Sequence, residues 1–158
     1  MKEQDRAGSM LNFSEKQQAK GILSYRVFKN GVLVEEVEEE NLIVTVGRTT
    51  MAKLLAGDAA GNPVTKISLG TSGLTPALTD TAITNPYTKN LNSYSFPGAG
   101  QVQFNWSLGT GEANGKAILE FGLLCSDNSL FSRRIRESGK PINKEADISL
   151  EGTWTIIF

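Results

Sequence analysis

The closing stretch Ile148-Ser149-Leu150-Glu151-Gly152-Thr153-Trp154-Thr155-Ile156-Ile157-Phe158 decides the fold. Apolar or small residues fall on every second position (Ile148, Leu150, Gly152, Trp154, Ile156, Phe158), and Asp147, Ser149, Glu151, Thr153 and Thr155 take the alternate places. A period of two puts these sets on opposite faces of a pleated chain, so the segment reads as a half-buried strand with Phe158 in phase with its core side. Upstream, Ala117 to Cys125 is apolar on both faces apart from Glu120, the pattern of a central strand covered on both sides. Ser126 to Ser129 makes a polar turn and Leu130-Phe131 resumes the sheet, which Arg133, Arg134 and Arg136 are expected to carry into solvent. A polar crossing, Glu137 to Glu145, leads to the last strand.

Further upstream the same period recurs. Val102, Phe104, Trp106 and Leu108 alternate with Gln101, Gln103, Asn105 and Ser107, and Tyr87 to Phe96 alternates loosely ahead of the turn Pro97-Gly98-Ala99-Gly100. Val64, Ile67 and Leu69 mark a strand ending at Gly70, followed by a surface loop rich in Thr, Ala, Pro, Asp and Asn. Ile22 to Phe28 and Val32 to Val37 flank Asn30-Gly31, two residues that accept positive φ, which is a strong hairpin signal. Glu35, Glu36, Glu38, Glu39 and Glu40 read as a charged rim that discourages a neighbouring chain. Only Met51, Leu54 and Leu55 depart from this period. Their i, i+3, i+4 spacing, with Gly57 as C-cap, predicts one short helix over 48–56 that packs these three side chains against the sheet. The expected fold is therefore all-β, an antiparallel β-sandwich or jelly roll of about eight strands in a single domain over 21–158. Residues 1–20 are expected to form a polar N-terminal arm whose large apolar side chains after Met10 are Leu11 and Phe13, and Gly8-Ser9-Met10 has the form of a cloning junction.

Composition narrows the chemistry. A chain of 158 residues buries roughly 70% of its unfolded surface and needs no staples. A net charge of -1 offers no global attraction to nucleic acid or to an anionic membrane, so neither is expected as a partner. The apolar runs are far shorter than the ~20 residues of a membrane span and no leader opens the chain, so a soluble protein without a signal peptide is expected. With no histidine and one cysteine, the chain has no intrachain disulfide, no Cys/His zinc site and no Ser-His-Asp or Cys-His arrangement. Cys125, between Leu124 and Ser126, reads as a small buried hydrophobe. No catalytic, metal or cofactor-binding residue is assigned.

Glu120 is the sharpest isolated polar residue, since a carboxylate inside an apolar strand must be paired, neutralised or turned to water. An arginine of the Arg133 to Arg136 segment is the expected partner. Arg133, Arg134 and Arg136 are also candidates, with Leu11 and Phe13, for contacts with another protein. Trp106 and Trp154 are in phase with the core, which leaves Tyr87 and Tyr94 as candidate glycan contacts.

The landmarks Asn41-Leu42-Ile43-Val44-x-x-Gly47-Arg48, Met51-Ala52-x-Leu54-Leu55-Ala56-Gly57, Ile67-Ser68-Leu69-Gly70-Thr71-Ser72, Asp80-Thr81, Leu119-Glu120-Phe121-Gly122-Leu123-Leu124 and Leu130-Phe131-Ser132-Arg133 occur in that order. Over about Val32 to Phe158 they resemble a small structural protein of tailed-bacteriophage virions. The resemblance implies a non-enzymatic, homo-oligomeric particle component that contacts other virion proteins and is made in the host bacterial cytoplasm. The tail, baseplate or fibre region is the first expectation. Capsid decoration (a cement protein) and a host-glycan-binding module are the alternatives.

Overall fold

The computed structural model describes residues 18–158. In chain order they form β1 (Lys20–Lys29), β2 (Val32–Ile43), α1 (Thr45–Ala56), β3 (Val64–Gly70), β4 (Tyr87–Asn90), β5 (Ser93–Ser95), β6 (Gln101–Leu108), β7 (Ala117–Ile118), β8 (Glu120–Cys125), β9 (Leu130–Ile135), β10 (Ile142–Asn143) and β11 (Ile148–Ile157). Nine strands make one curled antiparallel sheet in the order β4-β3-β8-β9-β2-β1-β11-β6-β5, and β7 pairs with β10 apart from it. The fold is all-β and sandwich-like. The additional strands relative to about eight are the two-residue β7 and β10 and the division of Tyr87 to Phe96 into β4 and β5.

β2 is the crease of this sheet. It pairs with β1 from Val32 to Asn41 but meets β9 only through Leu42↔Arg133 and Ile43↔Ser132. The ribbon folds there into two layers, β2-β1-β11-β6-β5 over β4-β3-β8-β9, and Leu91 and Asn92 carry the chain between the layers from β4 to β5. Rings fill the space between the layers. Tyr25 of β1 lies 4.8 Å from Phe121 of β8, and Trp106 of β6 lies 5.9 Å from Phe121, centroid to centroid. Trp106 and Trp154 are fully buried, as their phase requires.

The β1–β2 hairpin turns through Asn30 and Gly31 at φ 51° and 76°, the two positive values that a right-twisted two-residue turn demands. β11 is flanked along its length by β1, from Lys20↔Ile157 to Lys29↔Ile148, and by β6 from Leu150↔Leu108 to Ile157↔Gln101. Leu150, Trp154 and Ile156 are buried as the alternation requires. Phe158 is not: it lies one residue past the ladder and is 65% exposed, because no strand or loop of the described residues extends over it. Its N–H donates to Gly100 O at 2.8 Å.

β8 is buried at all six positions. Phe121, Leu123 and Cys125 face the other layer, while Glu120, Gly122 and Leu124 face a second, outer cluster of Val44, Ile83, Leu124 and Leu130. Ile83 belongs to the 71–86 connection, which is thus a cover for β8 and not only a surface loop. Its side chain occupies the space beside Gly70 and Gly122, where a Cβ would lie within 2.4–2.6 Å.

The helix differs from expectation. α1 begins at Thr45, ends at Gly57 in the left-handed region (φ 67°), and buries Gly47 and Thr50. Met51 is half-buried, but Leu54 is partly exposed and Leu55 is 92% exposed. Gly47 packs directly on the Phe131 backbone, and this close approach selects the stripe Gly47, Thr50, Met51 as the contact face. Leu55 is rotated away from it.

Candidate functional site

Leu11 and Phe13 lie outside the described residues. The arginines do not run into solvent: Arg133 and Arg136 are buried, and all three spend their guanidinium groups within the chain. Arg133 Nε donates to Glu120 Oε2 at 2.7 Å and its Nη1 to Asp80 Oδ2 at 3.0 Å. Glu120 Oε1 accepts the N–H groups of Thr84 at 2.7 Å and Ser72 at 3.2 Å. Glu120 is therefore satisfied by the arginine expected from sequence and by loop backbone, an arrangement that clamps the 71–86 cover onto β8 and β9.

The other two arginines tie the layers together at the crease. Arg134 Nε reaches Glu39 Oε2 at 2.8 Å, and Arg136 Nη2 reaches Glu35 Oε1 and Oε2 at 2.9 and 3.0 Å. Arg136 Nη1 also donates to the Tyr25 hydroxyl at 3.0 Å. The glutamate run is thus two sets. Glu35 and Glu39 alternate inward toward arginine, and Glu36, Glu38 and Glu40 face outward, exposed. Alternation, not bulk repulsion, decides their roles. The protein-contact expectation at Arg133 and Arg136 gives way to internal pairing, because a buried guanidinium must be met by carboxylates.

Tyr87 and Tyr94 do not form a matched pair. Tyr87 is half-buried and its hydroxyl donates to Glu112 Oε2 at 3.1 Å. Glu112 also takes Lys89 Nζ and the Gly109 N–H, each at 2.9 Å, and these bonds, the lysine's foremost, hold its carboxyl below the usual range. Tyr94 is exposed and stands edge-on to Phe96 at 5.8 Å. Cys125 is buried and burial pushes its thiol pKa up, so it is an inert core residue.

Lys144 gave no signal in the sequence, where it sits in a polar crossing. In the fold it is fully buried, its Nζ held by Asn114 Oδ1 at 2.8 Å, Glu145 O at 3.1 Å and Thr110 O at 3.3 Å. Burial lowers its pKa against the opposing pull of Glu112, Glu145 and Asp147. With its backbone bonded to Lys116 and Gly115, it staples the 109–116 loop to β10. Only tertiary folding brings these acceptors together.

Two surface features remain. A groove of about 730 Å³ runs over the outer face of the β2-β1-β11-β6 layer. Register explains the polar side chains along it: Glu38, Ser24, Thr153 and Asn105 form one cross-strand row, and Glu36, Arg26, Glu151 and Ser107 the next. The second feature is apolar. Tyr94, Phe96 and Phe158 are each about two-thirds to three-quarters exposed at the end of the sheet where, among the described residues, β5 has β6 on one side and no strand on the other. Phe96 and Phe158 share a shallow depression with Gly98, Gly100, Gln101 and Val102. Among the described residues, no group of three His, Cys, Asp or Glu is placed to hold a metal ion, and no helix is long and apolar enough to cross a membrane. In comparisons with known proteins, no family model, no curated protein and no solved structure matches the chain.

Proposed function

We propose that this chain is a non-enzymatic structural component of a tailed-phage virion, placed in the tail, baseplate or fibre region, synthesised in the host cytoplasm and assembled through repeated protein–protein contacts. The observation that carries this reading is the exposed Tyr94–Phe96–Phe158 edge. The largest apolar patch on a protein surface is often a contact site, and an unpaired strand edge is a template for a further chain. The ordered landmarks from Asn41 to Arg133 supply the phage context. The buried side chains described above serve the fold: Glu120, Arg133, Arg136 and Lys144 clamp loops and layers.

Deleting the gene from a phage that encodes this chain tests the reading. Filled heads that fail to complete tails are the expected result. Complete particles whose heads lose heat resistance would instead make the protein a capsid cement, and fully normal particles would overturn a structural role.

The outer groove favours a second reading, a host-glycan module, because its hydroxyl, amide and carboxylate groups match the hydrogen-bonding needs of a saccharide. That reading requires binding on a glycan array that is lost in Asn105→Ala.

A further inference from the structure

We infer that the β5 edge is where a second copy of this chain docks, strand against strand about a two-fold axis, so that two sheets become continuous. This inference rests on the reading of the protein as one that assembles through protein contacts, and it names the surface and the partner.

Three features converge on that edge. The first is that β5 ends the strand order and every residue from Asn92 to Gly100 is exposed, so none of the described residues covers its backbone or its side chains. The second is the ring cluster: Tyr94 and Phe96 stand 5.8 Å apart, and Phe96 and Phe158 line one depression. Taking about 200 Å² for each ring residue, the exposed part of the three is roughly 400 Å², about half of the ~800 Å² per partner that a stable interface buries. The neighbouring Ser93, Ser95 and the Pro97–Gly100 turn surround the rings and supply further area.

The third feature selects a second copy over a partner of another kind. No charged residue occurs from Asn90 to Gly111, although 21% of the chain is charged. A patch that recruited an acidic or basic partner would carry the complementary sign, and natural edges that must stay single carry lysine or glutamate. β4, the opposite end of the strand order, has such a guard in Lys89, tied to Glu112. β5 has none. An uncharged antiparallel edge meets itself without repulsion, and a two-fold axis places Tyr94 and Phe96 of one copy against the same rings of the other.

The test is sedimentation equilibrium of the full chain over a concentration series, beside Tyr94→Lys/Phe96→Lys and a variant lacking residues 1–17. The expected result is a concentration-dependent dimer for the full chain and the truncated variant, with the dissociation constant raised at least tenfold by the two lysines. Both altered side chains are exposed, and an unchanged circular dichroism spectrum and melting temperature confirm that the variant folds. A full chain that stays monomeric at about 100 μM, a dimer indifferent to the lysines, or one abolished by removing 1–17 each overturns the inference; the last assigns the edge to the arm. A monomer in solution whose gene is nonetheless required for tails would overturn this inference and leave the virion role standing. A β5-dependent dimer dispensable for particles would do the reverse.

Discussion

Arg133 and Glu120 form an ion pair at 2.7 Å with side chains only 4% and 1% exposed. It is the most enclosed charge pair in the protein among the described residues, and it sits where the sheet needs a cover. Through Glu120 Oε1 and Arg133 Nη1 the pair reaches Ser72, Thr84 and Asp80, three points along the 71–86 connection. Ile83, held by that connection, fills the space left by Gly70 and Gly122.

Arg133→Met is expected to cost about 3–5 kcal/mol, because it leaves a buried carboxylate without its counter-charge. Urea denaturation measures this directly. The double variant Glu120→Leu/Arg133→Met recovers only part of the loss, since the Ser72 and Thr84 N–H groups then lack an acceptor. A loss below about 1 kcal/mol for Arg133→Met would show that the pair is not the clamp.

Tyr25 links stability to alkaline pH. Burial pushes its hydroxyl from 10.0 up to about 12, with the Arg136 guanidinium pulling the other way. Between these values the unfolded chain releases the proton and the folded chain retains it. The contribution is complete below about pH 10 and is lost as pH rises toward about 12. Tyr25→Phe should therefore flatten the fall of melting temperature from about pH 10 to 12 relative to the parent protein; parallel curves would contradict it.

Lys144 has the opposite slope. Its folded pKa is depressed below 10.5, so the folded chain gives up the proton first and stability rises with pH between the folded value and 10.5. Lys144→Met is expected to lose about 1–3 kcal/mol at neutral pH, with the acceptors on Thr110, Asn114 and Glu145 left without a donor. Because the variant lacks the alkaline gain, its deficit should widen as pH approaches 10.5. Guanidinium melts at two pH values suffice to see it.

Gly152 lies under Trp106, whose ring would stand 2.6 Å from an added Cβ, as would Ser24 O. Gly152→Ala must displace the ring or the strand and should cost about 1–3 kcal/mol. A shifted tryptophan emission maximum would accompany it; an unchanged spectrum with full stability would mean that the site yields freely.

Removing Phe158 should cost less than about 1 kcal/mol, the worth of one backbone hydrogen bond and an exposed ring. The in-phase position suggested a core residue, and a thermal melt distinguishes the two cases. A large drop in melting temperature would return Phe158 to the core.

The strands were legible where one face is wet and the other dry. Leu150, Trp154 and Ile156, or Phe104, Trp106 and Leu108, show their roles through period alone, as does the Asn30-Gly31 turn through its chemistry. The apolar run around Glu120 announced a strand covered twice, and a carboxylate there had to find a cation. What covers its outer face was not legible, because Ile83 acts through contacts with Gly70 and Gly122 that are distant in sequence.

The sequence by itself determined the β class, the hairpin, the phase of the core strands and the need for a partner at Glu120, since each follows from local period or from the cost of burying a charge. Only the tertiary structure decided which arginine that partner is, that Glu35 and Glu39 meet Arg136 and Arg134, that Lys144 is buried and that Leu55 and Phe158 are not. Those outcomes depend on which strands become neighbours at the β2 crease and on how closely Gly47 lets the helix approach. Such contacts join residues far apart along the chain, and no local pattern encodes them.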